Sequence, residues 1–139
     1  MKIQQLEPGV AIADAITVAD LDEVARRGFQ AVICNRRPGE AEDHPDDTAL
    51  RERAEALGLA WRCIPVAPGE YGEADIEAFG RALDELPTPI LAFCRTGRRA
   101  VHLWAQSRAR EPGCDMPALL EAAHAAGHDP QAIREMLDA

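Results

Sequence analysis

The chain reads as an α/β protein, a three-layer α/β/α arrangement around a mainly parallel central sheet. Three observations predict it. Short apolar runs of strand length alternate with amphipathic stretches of helical period three times before Ile90 is reached. The runs Gln30 to Cys34 and Ile90 to Phe93 are continuously apolar, as strands covered on both faces are. The second of these runs ends abruptly at Cys94 and passes through a glycine-bearing loop into a helical pattern containing Val101, Leu103 and Trp104.

The elements follow in order. Ile3 to Leu6 and Val10 to Ile12, separated by Pro8-Gly9, predict two strands joined by a turn. Thr17 is a good N-cap with Asp20 three positions on, and Leu21, Val24, Ala25 and Phe29 form an apolar stripe that closes around Gly28. After the Gln30–Cys34 strand comes a polar loop through Asn35, Arg36, Arg37, Pro38 and onward to Asp46. Asp46 or Asp47 then caps a helix with Leu50, Ala54 and Leu57, ended by Gly58. Leu59 to Val66 predicts a strand with Trp61, Cys63 and Ile64 available to the core, followed by a loop at Ala67 to Gly72. Glu73 to Leu86 predicts a helix with Ile76, Phe79, Ala82 and Leu83 on one face. After Ile90–Phe93 and the helix of Arg99 to about Arg110, Pro112-Gly113 breaks the chain. Asp115 and Asp129 then open two alanine- and leucine-rich helices, which read as a tail packed on the sheet within a single domain spanning 1–139.

In parallel α/β sheets ligands sit beyond the carboxyl ends of the strands. Three loops should therefore converge: those after Cys34, after Val66 and at Cys94. A loop that curls from a buried strand into a helix turns several N–H groups towards one point, and the helix dipole adds roughly half a positive charge there. Cysteine thiols so placed beside cations fall from about 8.5 to roughly 3.5–7.5. Arg95, Arg98 and Arg99 serve no purpose for an inert core sulfur, so the cluster predicts that Cys94 is a reactive thiolate.

Composition sets the frame. Acidic residues outnumber basic ones by 24 to 15, for a net charge of −9, which excludes nucleic acid and anionic membrane surfaces as partners. The loop arginines are a local exception that suits a small anionic substrate. Cys34, Cys63, Cys94 and Cys114 stand 29, 31 and 20 positions apart with no C-x-x-C pair, so neither a metal nor another cofactor is expected. With no signal-like start at Met1 and no apolar run near membrane-span length, the expected location is the cytoplasm, where thiols stay reduced.

Two reaction classes use a cysteine thiolate in such a loop: phosphate-ester hydrolysis and sulfane-sulfur transfer through a persulfide. Cys94 and Arg99 are separated by four residues, a C-x4-R loop, whereas phosphatase loops of this design are C-x5-R and position 100 is alanine. The missing residue removes about 3.5 Å of contour, roughly 0.5 Å of radius in a circular loop, which favours a single sulfur over a phosphoryl group. A phosphatase also wants a carboxylic acid nearby. Glu40, Glu42, Asp43, Asp46, Glu73 and Asp75 carry no distinguishing signal, and Glu70, flanked by Gly69, Tyr71 and Gly72, is the best of the set. Cys34 is a candidate resolving thiol for Cys94, although a core role is its default. His44 and His102 are candidate proton carriers, and Arg36 and Arg37 end a strand beside the site, where they can bind an anionic donor.

The ordered set Val32-Ile33-Cys34-Asn35-Arg36-Arg37-Pro38, Ile64-Pro65-Val66, Phe93-Cys94-Arg95-Thr96-Gly97-Arg98-Arg99 and Leu103-Trp104-Ala105 resembles the phosphatase-like domain family of beta-lactamase-hydrolase-like proteins, also labelled sulfurtransferase. The resemblance covers nearly the whole chain. It implies a fold like that of dual-specificity phosphatases, with Cys94 as nucleophile and Arg99 closing the loop. It also implies a place in sulfide and persulfide metabolism, with a separate persulfide-oxidising metallo-hydrolase as partner. Single-domain rhodaneses have a similar loop, with the turn at Thr96-Gly97 followed by Arg98-Arg99. One departure is the Cys34-Asn35-Arg36-Arg37-Pro38 run, where family members usually carry Asn-Asn-Arg-Pro. The resulting expectation is a sulfurtransferase that forms a persulfide on Cys94 from thiosulfate or glutathione persulfide, with Arg36, Arg37, Arg95, Thr96, Gly97 and Arg98 binding the donor. The alternatives are a cysteine-dependent phosphatase forming a phosphocysteine on Cys94 and a non-catalytic anion-binding module.

Overall fold

In a computed structural model of the chain, residues 1–40 and 46–139 are described. Five strands form one mixed sheet in the order β1-β2-β5-β3-β4. β1 (Ile3–Glu7) and β2 (Val10–Ala13) form an antiparallel hairpin around Pro8-Gly9, where Gly9 takes a φ of 84°. β2, β5 (Ile90–Phe93), β3 (Ala31–Cys34) and β4 (Ala60–Cys63) are parallel to one another, as the alternation of elements predicts.

The period-2 alternation of side chains divides the core in two. Val10, Ile12, Ala31, Ile33, Ile90 and Ala92 face one layer, where they meet Ile76, Phe79, Ala82 and Leu83 of α3 (Glu73–Glu85) and Ala100, Val101, Leu103 and Trp104 of α4 (Arg98–Ala109). Ala11, Ala13, Val32, Cys34, Leu91 and Phe93 face the other, against Leu21 and Val24 of α1 (Val18–Arg26) and Leu50 and Ala54 of α2 (Asp47–Ala56). α5 (Met116–Ala125) and α6 (Pro130–Asp138) extend the first layer through Leu119, Ala123 and Ile133. The tail thus packs on the core as the sequence predicts.

Local signals account for the helix starts. Thr17 accepts from the Asp20 N–H while the Asp20 carboxylate accepts from the Thr17 N–H at 2.8 Å, a reciprocal capping box. Asp46, Asp115 and Asp129 cap α2, α5 and α6 through their side chains. The regular part of β4 is shorter than the Leu59–Val66 strand the sequence predicts, and Pro65 falls at an outward-facing position of this edge, where no N–H to β3 is needed. Pairing nevertheless continues beyond it, from the Ile64 N–H to the Cys34 carbonyl at 2.8 Å and from the Val66 N–H to that of Asn35 at 3.2 Å. β4 is a sheet edge, and Cys63, expected in the core, is exposed.

The anchor of the face carrying α4 is Glu7 at the end of β1. Its carboxylate accepts from Trp104 Nε1 and from Arg108 Nε at 2.8 Å and Nη2 at 3.1 Å, fixing α4 to the far edge of the sheet. Among the described residues, no helix is long and apolar enough to cross a membrane. Phe79 is fully buried between α3 and the sheet. Replacing it by alanine should lower the unfolding free energy by about 3–5 kcal/mol in urea titrations; a loss under about 1 kcal/mol would show that this layer is loosely packed.

Candidate functional site

β5 delivers the chain to the site. Leu91 and Phe93 point to the α1/α2 layer, so the alternation turns Cys94 to the α4 side, where the residue is 1% exposed. The chain then bends through Arg95, Thr96 and Gly97 into the first turn of α4. Gly97 occupies the left-handed region at φ 86°, a conformation that suits glycine and costs other residues about 1–2 kcal/mol. This turn aims the Gly97 N–H at Cys94 Sγ, 3.1 Å away. The loop is also tied to the β2–α1 connection, where the Ala15 N–H donates to the Arg95 carbonyl at 3.0 Å. Cys94 thus sits just before a helix N-terminus; of the several N–H groups the sequence leads one to expect there, the Gly97 N–H is the one placed at its sulfur among the described residues.

Arg99 closes the constellation. Its Nη1 donates to Glu40 Oε1 at 2.8 Å and to the Val66 carbonyl at 2.9 Å, and its Nη2 donates to Glu40 Oε2 at 2.7 Å. Glu40 also accepts from the Arg37 N–H at 2.6 Å. The three loops expected to converge do so through one guanidinium: the first supplies Glu40, the second the Val66 carbonyl and the third Arg99 itself. The Arg99 side chain is only 4% exposed, and hydrogen bonding to Glu40 raises its pKa further. The same hydrogen bond holds the Glu40 carboxyl below its ordinary value of 4.5, so Glu40 is a fixed anion and not a proton donor.

Arg95, Thr96 and Arg98 are exposed around the loop. With Glu40, Pro68 and Arg99 they line a cavity of about 210 Å³. Neither Arg95 nor Arg98 has an acidic partner among the described residues, although most arginines of this acidic chain do. A second cavity, of about 260 Å³, shares Arg95 and Thr96 with the first and carries Lys2, Asp14 and His128 on its walls.

Tyr71 and His102 stand behind the loop, with the Tyr71 hydroxyl 3.0 Å from His102 Nδ1 and the rings edge to face. Burial raises the Tyr71 phenol, against the opposing cations of Arg98 and Arg99. Burial and the cation of Arg98 push His102 down to about 4. The pair is therefore neutral near pH 7 and shares one proton between Oη and Nδ1.

Several expectations are relocated. Arg36 does not reach the Cys94 loop; its side chain is 2% exposed, paired with Asp47 at 3.4 Å and laid over the Phe93 ring at 5.6 Å. It lies on the α1/α2 side of the sheet, where no diffusing anion meets it. Arg37 is exposed and reaches the site through its N–H. Cys34 shares the face of Phe93, across the sheet from the loop, so its neighbour is Cys63 and not Cys94. Glu70 is exposed, with its N–H donating to the Ala67 carbonyl at 3.1 Å. Glu42, Asp43 and His44 lie outside the described residues. Sequence reasoning missed the bridging role of Glu40 and the pairing of Tyr71 with His102. Glycines flanking Tyr71 were the available signal for the second, and nothing marked the first.

Two outcomes follow. Glu40→Gln should cost about 1.5–3 kcal/mol of stability, the range for hydrogen bonds to charged groups, and reduce Cys94 reactivity towards iodoacetamide. Unchanged urea midpoints and alkylation rates would refute the clamp. His102 binds its proton more weakly folded than unfolded, so its contribution is complete above about pH 6.5 and is lost as pH falls from there through about 4. Relative to His102→Asn, the wild type should lose up to about 3 kcal/mol across that window. His128 shifts in the same direction, which is why the comparison needs the single variant. Parallel stability curves for the two proteins would remove His102 as the source.

The comparisons with known proteins agree with this geometry. Residues 2–111 match the family described as the phosphatase-like domain of beta-lactamase hydrolase-like protein. A beta-lactamase hydrolase-like protein of Xylella fastidiosa is 32% identical over 129 residues, covering 93% of this chain and 30% of that protein. The chain therefore spans under a third of the curated relatives it matches. The structure of a Neisseria meningitidis Z2491 protein, given a provisional phosphatase assignment, superposes with a TM-score of 0.88 at 33% identity, covering 99% of this chain and 97% of that one. The fold is also shared with P. aeruginosa TpbA in complex with pTyr, at a TM-score of 0.61 and 15% identity over 98% of this chain and 90% of that one. With its five-stranded mixed sheet, its dual-specificity-phosphatase-like fold and its Cys94 loop, the chain belongs to the phosphatase-like domain family of beta-lactamase hydrolase-like proteins.

Proposed function

We propose that the chain is a cysteine-dependent phosphatase acting on a small phosphate ester through a phosphocysteine on Cys94. The observation that carries this reading is the seat of Cys94 Sγ under the Gly97 N–H at the start of α4, beside a cavity lined by Arg95, Arg98 and Arg99. The Cys94 thiolate attacks phosphorus, the ester P–O bond breaks, and the leaving oxygen keeps the electron pair. Water then attacks phosphorus, the S–P bond breaks, and inorganic phosphate leaves while the thiolate is restored. Arg95, Arg98 and the loop N–H groups balance the charge on the non-bridging oxygens. Arg99, held by Glu40 and the Val66 carbonyl, orders the loop and keeps its charge near the sulfur. The second cavity, entered past Arg95 and Thr96, accepts the body of the ester. The family membership and the TpbA complex with pTyr support a phosphate-ester substrate.

A second reading keeps the sulfane-sulfur chemistry. It is favoured by the four-residue spacing between Cys94 and Arg99 and by the engagement of both Arg99 Nη atoms with Glu40 and Val66, which tightens the loop. In that chemistry the thiolate takes the outer sulfur of thiosulfate, the S–S bond breaks and sulfite leaves. A separate persulfide-oxidising metallo-hydrolase, as partner, belongs to this reading alone.

One pair of assays decides. Wild type should hydrolyse an activated aryl phosphate, and Cys94→Ser should lose at least about 10³-fold in kcat/KM. After incubation with thiosulfate, intact-protein mass should be unchanged. A reductant-sensitive gain of one sulfur on Cys94 without aryl phosphate hydrolysis would replace the phosphatase with the sulfurtransferase; inactivity in both assays would leave an anion-binding module.

A further inference from the structure

The sheet face opposite the Cys94 loop carries a second sulfur pair. Cys34 and Cys63 are register partners at the carboxyl ends of β3 and β4. Neighbouring strands lie about 4.7–4.9 Å apart, within the 4.4–6.8 Å span of Cα separations that disulfides bridge. The two sulfurs and a carboxylate oxygen of Asp47, the first residue of α2, all lie within 4.8 Å of one another. The pair is asymmetric in access: Cys34 is fully buried and Cys63 is exposed at the sheet edge. Arg36 sits beside it, its Nη2 3.4 Å from Asp47 Oδ1.

We propose that Cys34 and Cys63 form a reversible dithiol–disulfide couple that reduces a hydroperoxide, with Cys63 attacking and Cys34 resolving. The Cys63 thiolate attacks one peroxide oxygen, the O–O bond breaks, and the other oxygen leaves as water or an alcohol after taking a proton. The Cys34 sulfur then attacks Cys63 Sγ, the S–O bond breaks, and the second oxygen leaves as water with the Cys34 proton. The two thiols give up two electrons and the peroxide is reduced by two. A small thiol of the glutathione class restores the dithiol by exchange, itself becoming a disulfide.

Electrostatics matches this division of labour. A hydrogen bond between the two thiols lowers Cys63, aided by the Arg36 cation, while the same bond and burial raise Cys34. The neighbouring Arg36 also argues against the alternative use of this cluster, a soft metal site. Its guanidinium already balances Asp47, and a bound cation would lie close to it. Cys94 faces the other layer and is not consumed.

The test treats fully reduced protein with one equivalent of hydrogen peroxide, quenches with an alkylating agent and maps peptides. Wild type and Cys94→Ser should both lose two hydrogens and yield a peptide linking Cys34 to Cys63, reversed by glutathione. Cys63→Ser, altered at an exposed position, should form no such link, and Cys34→Ala should trap a dimedone adduct on Cys63. A link to Cys94, a first adduct on Cys94 in wild type, or zinc that co-purifies at one equivalent and is lost in Cys63→Ser would each overturn the proposal.

Discussion

The bidentate pairing of Arg99 with Glu40 is the contact on which the site's shape depends. It joins a loop that follows β3 to the first turn of α4 across 59 residues of sequence, and the Val66 carbonyl adds the third loop to the same guanidinium. A guanidinium this deeply buried is tolerable because its charge is matched by a carboxylate and its donors are directed at fixed acceptors. The pairing gives the loop a rigid back, leaving Arg95 and Arg98 as the groups that can move towards a ligand. The division between one buried, paired cation and two exposed ones underlies the proposed catalytic roles.

The sheet order explains why the loop lies where it does. β5 inserts between β2 and β3, so the connection from β2 to β3 runs over one face and the return from β4 to β5 runs over the other. The carboxyl end of β5 opens at this reversal, where neighbouring loops diverge and leave room for a ligand. Cys94 is at that end because the apolar run stops there; one residue earlier or later would turn the sulfur to the α1/α2 layer.

Much of this was legible in the chain. The caps at Thr17, Asp46, Asp115 and Asp129 act through side chains with local signatures, and the apolar runs of β3 and β5 mark the strands buried on both faces. The Cys94 loop could be read from residue types alone. What escaped depends on long-range placement. Glu40 looked like any acidic loop residue, because its value comes from a partner 59 positions away. The Val66 carbonyl carries no side-chain signature at all. Arg36 and Arg37 are adjacent in sequence but opposite in fate, since strand-like alternation continues one step past β3 and buries the first over Phe93. Cys63 was assigned to the core because nothing in a four-residue strand reveals whether it sits at the sheet's edge.

The tail contributes more than packing. The family match ends at residue 111, yet His128, in the turn between α5 and α6, stands directly behind Gly97, its Nε2 3.5 Å from where a β-carbon would project. Ala126, Gly127 and His128 also wall the larger cavity beside the Cys94 loop. The end of the family match is therefore not the edge of the cavity. A change in the helical tail can reshape the cavity's outer wall while Cys94 and its arginines stay in place, so the selectivity of the proposed site can shift with no change in the loop itself.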